Sequence, residues 1–161
     1  MRLSTRGRYA VMAMVELAAR ERRAEPGMRR QVSLADIAQA QQLSLAYLEQ
    51  LFGPLRRAGL VASTRGPGGG YALAREAVSI SISEIVDAVD EPIQTTRCDA
   101  GGPGCMAGER CLTHDLWSEL GTQIRLFLNH ATLADVIEGR ILGRALAPLP
   151  AGADAPAAPA A

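Results

Sequence analysis

The run GPGGG at residues 66–70 lies between two short strand-like segments, LVASTR before it and GYALA after it. Glycine adopts the backbone angles that a tight reversal needs, so this pattern predicts a β-hairpin whose tip carries no side chain except Pro67. Glycine-rich loops also hold phosphates, but nucleotide loops lead from a strand into a helix and carry a lysine or a regular G-x-G-x-x-G spacing. This loop has neither property, so we predict a hairpin and no nucleotide site.

Two helical segments precede the hairpin. Ser33 is placed to cap LADIAQAQQ, and Ser44 is placed to cap LAYLEQLFGPLRRAG. Pro54 predicts a kink or a restart in the second helix, and Gly59 predicts its end. Such a pair could be a plain helical hairpin, but a helix pair followed by a β-hairpin is the order of a winged helix-turn-helix. We place the helix-turn-helix at about 33–58 and the wing at about 60–73. The apolar residues of the second helix are expected to face inward: Leu45, Leu48, Leu51, Phe52 and Leu55.

The charges are unevenly spread along a chain whose formal net charge is zero. Residues 1–75 hold 12 arginines against 5 acidic residues, whereas residues 76–161 hold 5 arginines against 12 acidic residues. A basic half beside an acidic half indicates that the first half meets a polyanion. Arg65, at the base of the hairpin tip, is placed to enter a narrow minor groove of DNA.

The N-terminal segment has arginines ahead of the apolar run AVMAMVELAA, as a secretory signal peptide does. Glu16 interrupts that run and further arginines follow at once, so we predict a helix of the mature chain that ends near Arg22. No apolar run in the sequence reaches the length of a membrane span. These features predict a cytoplasmic protein without a membrane partner.

All three cysteines and one of the two histidines lie in CDAGGPGCMAGERCLTH, residues 98–114, with the spacing C-x6-C-x5-C-x2-H. Thiolate and imidazole ligands suit iron–sulfur clusters, zinc and copper(I). A loop so rich in glycine has little apolar surface to bury, and a metal centre can order it because its binding energy becomes folding energy. The cysteines could instead be ordinary buried residues, but such residues usually lie on apolar faces, and these lie among Asp, Gly and Arg. A disulfide is also disfavoured, because three cysteines would leave one thiol unpaired. We therefore predict a metal centre in 91–114. Neither gap is as short as in structural zinc sites, which favours an iron–sulfur cluster without deciding the metal.

The region after the hairpin predicts three further helices. Ser83 is placed to cap EIVDAV, which Pro92 would end. THDLWSELGTQIRLFLNHATL predicts a long helix that could pack on its own domain, but we favour a coiled-coil-like homodimer. Thr132 is placed to cap a last short helix, so we assign 113–140 to the dimerisation helix and this last helix. The Pro/Ala-rich residues 141–161 are expected to form a disordered tail. The apolar stripe of the long helix comprises Leu116, Leu120, Ile124, Phe127 and Leu128, with Trp117 alongside.

Four stretches together resemble one family. MRLSTRGRYAVMAM, LSLAYLEQLFGPLRRAGLV, STRGPGGGY and RC…C…CLTHDLW are similar to the cluster-sensing winged-helix transcription factors. The three cysteines with CLTH are similar to the IscR-type branch of iron–sulfur cluster regulators. The resemblance covers residues 1 to about 138. With the patterns above, it gives a mainly α fold with a small β wing, made of an N-terminal winged helix-turn-helix in 1–90 and a long C-terminal dimerisation helix.

The resemblance implies a homodimer that binds a [2Fe–2S] cluster through Cys98, Cys105, Cys111 and His114. The cluster assembly machinery would be the donor. A relative that senses nitric oxide has an aspartate ligand where this chain has Arg8, which favours His114 as the fourth ligand here. The first cysteine gap is one residue longer than the family pattern. The function implied is regulation, mainly repression, of genes for iron–sulfur cluster biogenesis.

The resemblance also implies contacts with double-stranded DNA. Glu49 and Gln50 would face bases, and a base-facing serine of the family is replaced by Ala46. Cluster occupancy would adjust this helix so that the Glu49 carboxylate is tolerated at one class of DNA site. The complete set assigned to DNA is Ser44, Tyr47, Glu49, Gln50, Arg56 and Arg65.

Three other classes of protein compete with this interpretation. A zinc-stabilised winged-helix repressor is the nearest, and an iron–sulfur redox protein without a DNA role is the second. An enzyme is the least favoured, because the sequence has no nucleophile with a paired base, no carboxylate pair in a plausible pocket and no nucleotide motif.

Overall fold

A computed structural model of the chain describes residues 5–23, 31–89 and 111–142. Within these residues the elements confirm the predicted fold class, since most of them are helices and the sheet is a two-stranded antiparallel hairpin. The elements are α1 (Thr5–Arg22), α2 (Leu34–Gln41), α3 (Leu45–Arg57), β1 (Val61–Thr64), β2 (Gly70–Leu73), a 3-10 turn (Ala77–Ser79), α4 (Ile82–Ala88), α5 (His114–His130) and α6 (Leu133–Ile137).

The core is built around α1, which contacts α2, α3, α4, α6 and β2. Ala10 and Ala13 are fully buried, and their small side chains let neighbouring helices approach closely. Met14 and Leu17 fill the centre of the same face. Because α1 contacts both the helix-turn-helix and the C-terminal helices, these parts share one hydrophobic core.

The helix-turn-helix consists of α2 and α3 with a short connection. Ser33 caps α2 as predicted, since its Oγ accepts the backbone N–H of Asp36 at 3.1 Å. Gln42 ends α2 in the left-handed region at φ 53°, and the next N–H, of Leu43, donates to the Ala38 carbonyl at 3.0 Å. Ser44 occupies the N-cap position of α3, although its side chain makes no cap hydrogen bond within the described chain.

Two details of α3 differ from prediction, namely a restart at Pro54 and the inward position of Leu45. The helix does not restart at Pro54 but runs as one element to Arg57. The buried residues Leu51, Phe52 and Leu55 lie on both sides of the proline, so packing against the core holds the helix continuous. Leu45 does not face inward, because it lies in the first turn and is 44% exposed.

The predicted hairpin is confirmed as a two-stranded antiparallel wing. Val61 pairs with Leu73, and Thr64 pairs with Gly70. Val32, just before α2, adds an isolated bridge to Tyr71 through two backbone hydrogen bonds of 2.9 and 2.8 Å. The wing is therefore joined to the helix-turn-helix by backbone as well as by side chains.

The N-cap of α4 differs from the predicted one. Ser81, and not Ser83, is the N-cap: its Oγ accepts the N–H of Glu84, and the Glu84 carboxylate accepts the N–H of Ser81 at 2.9 Å. The Ser-x-x-Glu spacing of this capping box was readable from the sequence. Ser83 lies buried inside the first turn. Pro92 lies outside the described residues, whereas the predicted inward residues are buried: Ile85, Val86 and Val89.

Helix α5 is the amphipathic helix that was predicted near the C-terminus. Its apolar stripe is largely uncovered in the described chain, where Leu116, Trp117, Leu120 and Phe127 are exposed. None of the helices in 5–23, 31–89 and 111–142 is long and apolar enough to cross a membrane.

Helix α6 begins at Thr132 as predicted, with Asp135 as the partner in a capping box. Residues 141 and 142 form a turn, and Ile141 packs against the core, so the described chain extends two residues into the predicted tail. The remainder of that tail, 143–161, lies outside the described residues.

Candidate nucleic-acid interface and metal ligands

One face of α3 is uncovered and the other is buried. Leu48, Leu51, Phe52 and Leu55 are fully buried against the core. An α-helix fits the major groove of B-DNA, so an uncovered helix face on a small basic domain is available for base contacts. The exposed residues of this face are Leu45, Ala46, Glu49, Gln50, Arg56 and Arg57.

Glu49 and Gln50 lie side by side at the middle of that face, and both are exposed. A glutamine amide can pair with adenine N6 and N7, and a carboxylate can accept from cytosine N4. A carboxylate that finds no such donor is repelled by the phosphates. Both side chains therefore carry groups that can distinguish base pairs and are exposed on α3.

Arg56 connects the recognition helix to the wing. Its Nη1 donates to the hydroxyl of Ser63 on β1 at 3.3 Å. Both residues are exposed, so the guanidinium keeps donors available for a phosphate. Ser63 is not among the predicted DNA contacts, and no local sequence signal identifies it because its contact with Arg56 depends on how α3 packs on β1.

Tyr47 is held in place by α1. Its ring is half-buried and packs edge to face against Tyr9, with ring centroids 5.9 Å apart and planes at 88°. Ser44, at the start of the same helix, is exposed. The N-terminal end of α3 is thus anchored to α1 by an aromatic contact, while the Ser44 side chain is exposed to solvent.

The wing tip is compact and presents Arg65. This residue is exposed and directly precedes Gly66, whose φ of +103° favours glycine. A Cβ on Gly69 would lie 2.3 Å from the Thr64 carbonyl oxygen, so the chain reverses where only a glycine fits. An arginine beside a small, tightly turned tip can enter a narrow groove without steric hindrance from neighbouring side chains.

Two of the four predicted metal ligands lie together at the start of α5. The N–H of His114 donates to the carbonyl of Cys111 at 3.0 Å, so both residues belong to one turn. Cys111 is a half-buried free thiol whose Sγ lies 3.5 Å from Thr113 Oγ1, and His114 is half-buried. Cys98 and Cys105 lie outside the described residues, and within the described ranges no group of three or more His, Cys, Asp or Glu side chains is placed to hold a metal.

The donor types of this turn fit an iron–sulfur cluster. A thiol and an imidazole are ligands that such clusters use, and neither side chain is packed into the hydrophobic core. Two donors are too few for any of the centres considered, so the remaining cysteines of the loop are needed.

Comparison with known proteins identifies the family. The model of the Rrf2 family, described as iron-dependent transcriptional regulators, matches residues 3–139. The chain is 49% identical over 140 residues to the HTH-type transcriptional regulator IscR of Yersinia enterocolitica, which is 87% of this chain and 81% of the relative.

Solved structures agree with this match. IscR of T. potens superposes with a TM-score of 0.68 at 35% identity, covering 87% of this chain and 88% of that one. CymR, the global cysteine regulator of B. subtilis, gives a TM-score of 0.69 at 34% identity, covering 86% and 98%. These relatives are transcriptional regulators and not enzymes. The chain therefore belongs to the Rrf2 family and is an IscR-like, DNA-binding transcriptional regulator.

Proposed function

We propose that the protein is a cytoplasmic homodimeric regulator, mainly a repressor, whose binding to operator DNA depends on a [2Fe–2S] cluster. Its targets would be genes of iron–sulfur cluster biogenesis, and the cluster assembly machinery would supply the cluster. The observation that carries the proposal is the turn that joins Cys111 to His114 at the start of α5 in a chain that also has an uncovered recognition helix. The likeness to IscR proteins supports the same interpretation.

The cluster would be held by Cys98, Cys105, Cys111 and His114. When bound, a [2Fe–2S] cluster supplies a redox-active centre whose occupancy follows the supply of iron and sulfide. Cys111 must be a thiolate and His114 must be neutral to act as ligands. Binding energy at these residues would order the loop that leads into α5, because a glycine-rich segment has little apolar surface of its own to bury.

The proposed DNA contacts combine positioning with base recognition. Ser44, Tyr47 and Arg56 would contact the sugar–phosphate backbone, which fixes the register of the protein on the duplex. Gln50 and Glu49 would read base edges in the major groove, and the side chain at the wing tip, Arg65, would enter the minor groove. Glu49 carries the selectivity, since it favours sites that offer a cytosine amino group and disfavours sites that do not.

The homodimer is supported by the exposed stripe of α5. Leu120 lies one turn after Leu116, Phe127 lies two turns after Leu120, and Trp117 lies beside Leu116; all four side chains are exposed in the described chain. An exposed apolar stripe of this kind, on a helix with no fully buried residue in the described chain, is typical of an interface between copies. The α5 helix of a second copy would cover this stripe. The resulting dimer would present two winged helix-turn-helix domains to a two-fold symmetric DNA site.

The test is anaerobic purification followed by visible spectroscopy, metal and acid-labile sulfide analysis, and DNA binding with and without the cluster. The DNA probe is the duplex that the untreated protein selects from a random-sequence library. We expect iron and sulfide in the ratio of the [2Fe–2S] formula, and we expect Cys98→Ala and His114→Ala to lose the spectrum together with cluster-dependent binding. A colourless protein that contains zinc would favour the zinc-stabilised repressor instead. A coloured protein that selects no DNA would favour the redox carrier.

A further inference from the structure

The attachment of α5 to the rest of the molecule is concentrated at its C-terminal end. Counted over the described chain, α5 has no buried residue, and its main neighbour is α4. Two backbone hydrogen bonds join the segments that flank these helices: the N–H of Ile82 donates to the Ala131 carbonyl at 2.8 Å, and the N–H of Leu133 donates to the Ile80 carbonyl at 3.0 Å. These bonds fix the position of the end of α5, whereas its direction depends on contacts within the helix itself.

Two residues before Ala131, a side-chain hydrogen bond crosses between the two helices. The hydroxyl of Ser83 in α4 donates to the Oδ1 of Asn129 in α5. Ser83 is only 3% exposed, whereas Asn129 is exposed. The Ser83 hydroxyl also lies 3.0 Å from the Ser81 hydroxyl within its own segment, so Asn129 is the partner that reaches it from α5. A directional hydrogen bond constrains the helix that supplies it. This contact therefore constrains the angle between the axes of α4 and α5.

Helix α4 is itself tied to the DNA-binding half. It packs on α1 and α3, and its capping residue Glu84 accepts a hydrogen bond from Arg75 at 2.7 Å. Arg75 follows the end of β2, the second strand of the wing. Because α4 is held to α3 and to the base of the wing, a change in the angle between α5 and α4 also changes the orientation of α5 relative to the winged helix-turn-helix.

We propose that Ser83 and Asn129 are positioning residues that set the separation of the two recognition helices in the dimer. The inference rests on the homodimer of the proposed function. In a symmetric dimer joined through α5, a change in the angle of α5 moves both copies of α3 relative to each other. The separation of the recognition helices determines which half-site spacing the dimer accepts. Neither residue needs to touch DNA or the cluster for this effect.

The experiment compares DNA probes of different half-site spacing. The reference probe is the inverted repeat that the cluster-loaded wild-type protein selects from a random-sequence library, and the altered probe has one base pair inserted at its centre. Asn129→Ala is the main variant because its side chain is exposed, and Ser83→Ala is the second. Asn129→Asp keeps an acceptor oxygen for Ser83. Gln123→Ala is the matched control, since Gln123 lies on the same helix and bonds only to Glu119 among the contacts described.

For Asn129→Ala and Ser83→Ala we expect the ratio of affinities for the reference and altered probes to fall by about fivefold, the effect of one hydrogen bond. The ratio should stay at the wild-type value for Asn129→Asp and Gln123→Ala. The visible spectrum and the sedimentation of all four variants should match the wild type. The inference is overturned if the alanine variants keep the wild-type ratio, or if Asn129→Asp loses it. A wild-type protein that sediments as a monomer, or that selects no DNA, would instead overturn the proposed function.

Discussion

Phe52 of the recognition helix and Tyr71 of the wing pack edge to face, with ring centroids 4.8 Å apart and planes at 69°. Phe52 is fully buried, and Tyr71 is also the residue whose backbone pairs with Val32. Edge-to-face aromatic pairs are directional as well as apolar. The contact therefore joins the two elements that would enter adjacent grooves of DNA and keeps their relative orientation constant.

Replacing Phe52 by alanine is expected to lower the free energy of unfolding by about 3–5 kcal/mol, because the change removes a fully buried ring and leaves a cavity. Urea denaturation followed by circular dichroism measures the loss. Val78→Ala is the control: Val78 is 60% exposed, and its truncation should change stability by less than about 0.5 kcal/mol. Equal losses in the two variants would show that Phe52 does not support the core.

Gly70→Ala should separate the wing from the segment before α2. A Cβ at this position would lie 2.5 Å from the carbonyl oxygen of Val32, so the bridge between Val32 and Tyr71 cannot form without a shift of the backbone. We expect a loss of about 1–3 kcal/mol in the free energy of unfolding. Amide hydrogen exchange should also show faster exchange at Val32 and Tyr71.

Gly53→Ala is the matched control for this glycine substitution. The nearest atom to an added Cβ is Nη1 of the flexible Arg57 side chain at 3.7 Å, an ordinary contact. Because alanine is favoured over glycine inside a helix, stability should not fall. If Gly53→Ala lowers the free energy of unfolding as much as Gly70→Ala does, the loss in Gly70→Ala does not come from a clash with Val32.

Glu84 should make the stability of the protein depend on pH in the acid range. Burial disfavours its charged form, but hydrogen bonds from the Ser81 backbone and the Arg75 guanidinium outweigh that effect and hold the pKa of the carboxyl below its ordinary value of 4.5. A lowered folded-state pKa means that the ionised carboxylate stabilises the protein above about pH 4.5. The contribution is lost as the pH falls through the folded-state pKa.

The variant that tests this pH dependence is Glu84→Gln, which keeps a polar cap but removes the charge. At neutral pH we expect it to be less stable than the wild type by less than about 1 kcal/mol, because the side chain is partly exposed and a glutamine retains capping ability. The difference should shrink as thermal melts are repeated below pH 4.5. Glu76→Gln, an exposed residue nearby, serves as the control; a difference that grows in acid would refute the assignment.

Leu120→Glu is expected to convert the proposed dimer to a monomer. The substitution places a charge at the middle of the exposed stripe of α5, where a second copy would have to bury it without a partner. Sedimentation equilibrium measures the change, and circular dichroism should show an unchanged fold. Thr122→Glu, on the opposite face of the same helix, should leave the association unchanged. If both variants stay dimeric, the interface lies elsewhere.

Glu49→Ala tests how the recognition helix discriminates between DNA sites. Removing the carboxylate removes its repulsion from phosphates, so the cluster-free protein should gain about tenfold or more in affinity for the cluster-dependent site. Fluorescence anisotropy with the selected duplex gives the affinities of the loaded and cluster-free forms. Glu76→Ala controls for the loss of one negative charge. An unchanged affinity of cluster-free Glu49→Ala would end the gating hypothesis, even if the protein proves to bind a cluster.

Local features of the fold are encoded in short stretches of the chain. The apolar spacing predicts α3, the run GPGGG predicts the wing, and the position of Thr132 predicts the cap of α6; all three are confirmed. Each of these depends on residues within one or two turns of each other, where backbone geometry and side-chain chemistry act without the rest of the fold. The resemblance to cluster-sensing regulators depends on short motifs of the same local kind, and the comparisons confirm it.

Contacts between distant residues were decided by the tertiary structure. The packing of α3 on β1 brings Arg56 to Ser63, and the packing of α1 on α3 brings Tyr9 to Tyr47. The packing of α5 on α4 brings Asn129 to Ser83. Periodicity places Leu45 on the inward face of α3, but it does not show where the neighbouring elements end. In the structure no neighbour covers the first turn fully, so Leu45 is exposed. The sequence alone therefore determined which elements form and which residues are candidates for binding DNA and a metal. Their relative placement follows only from how side chains far apart in the chain fill one shared core.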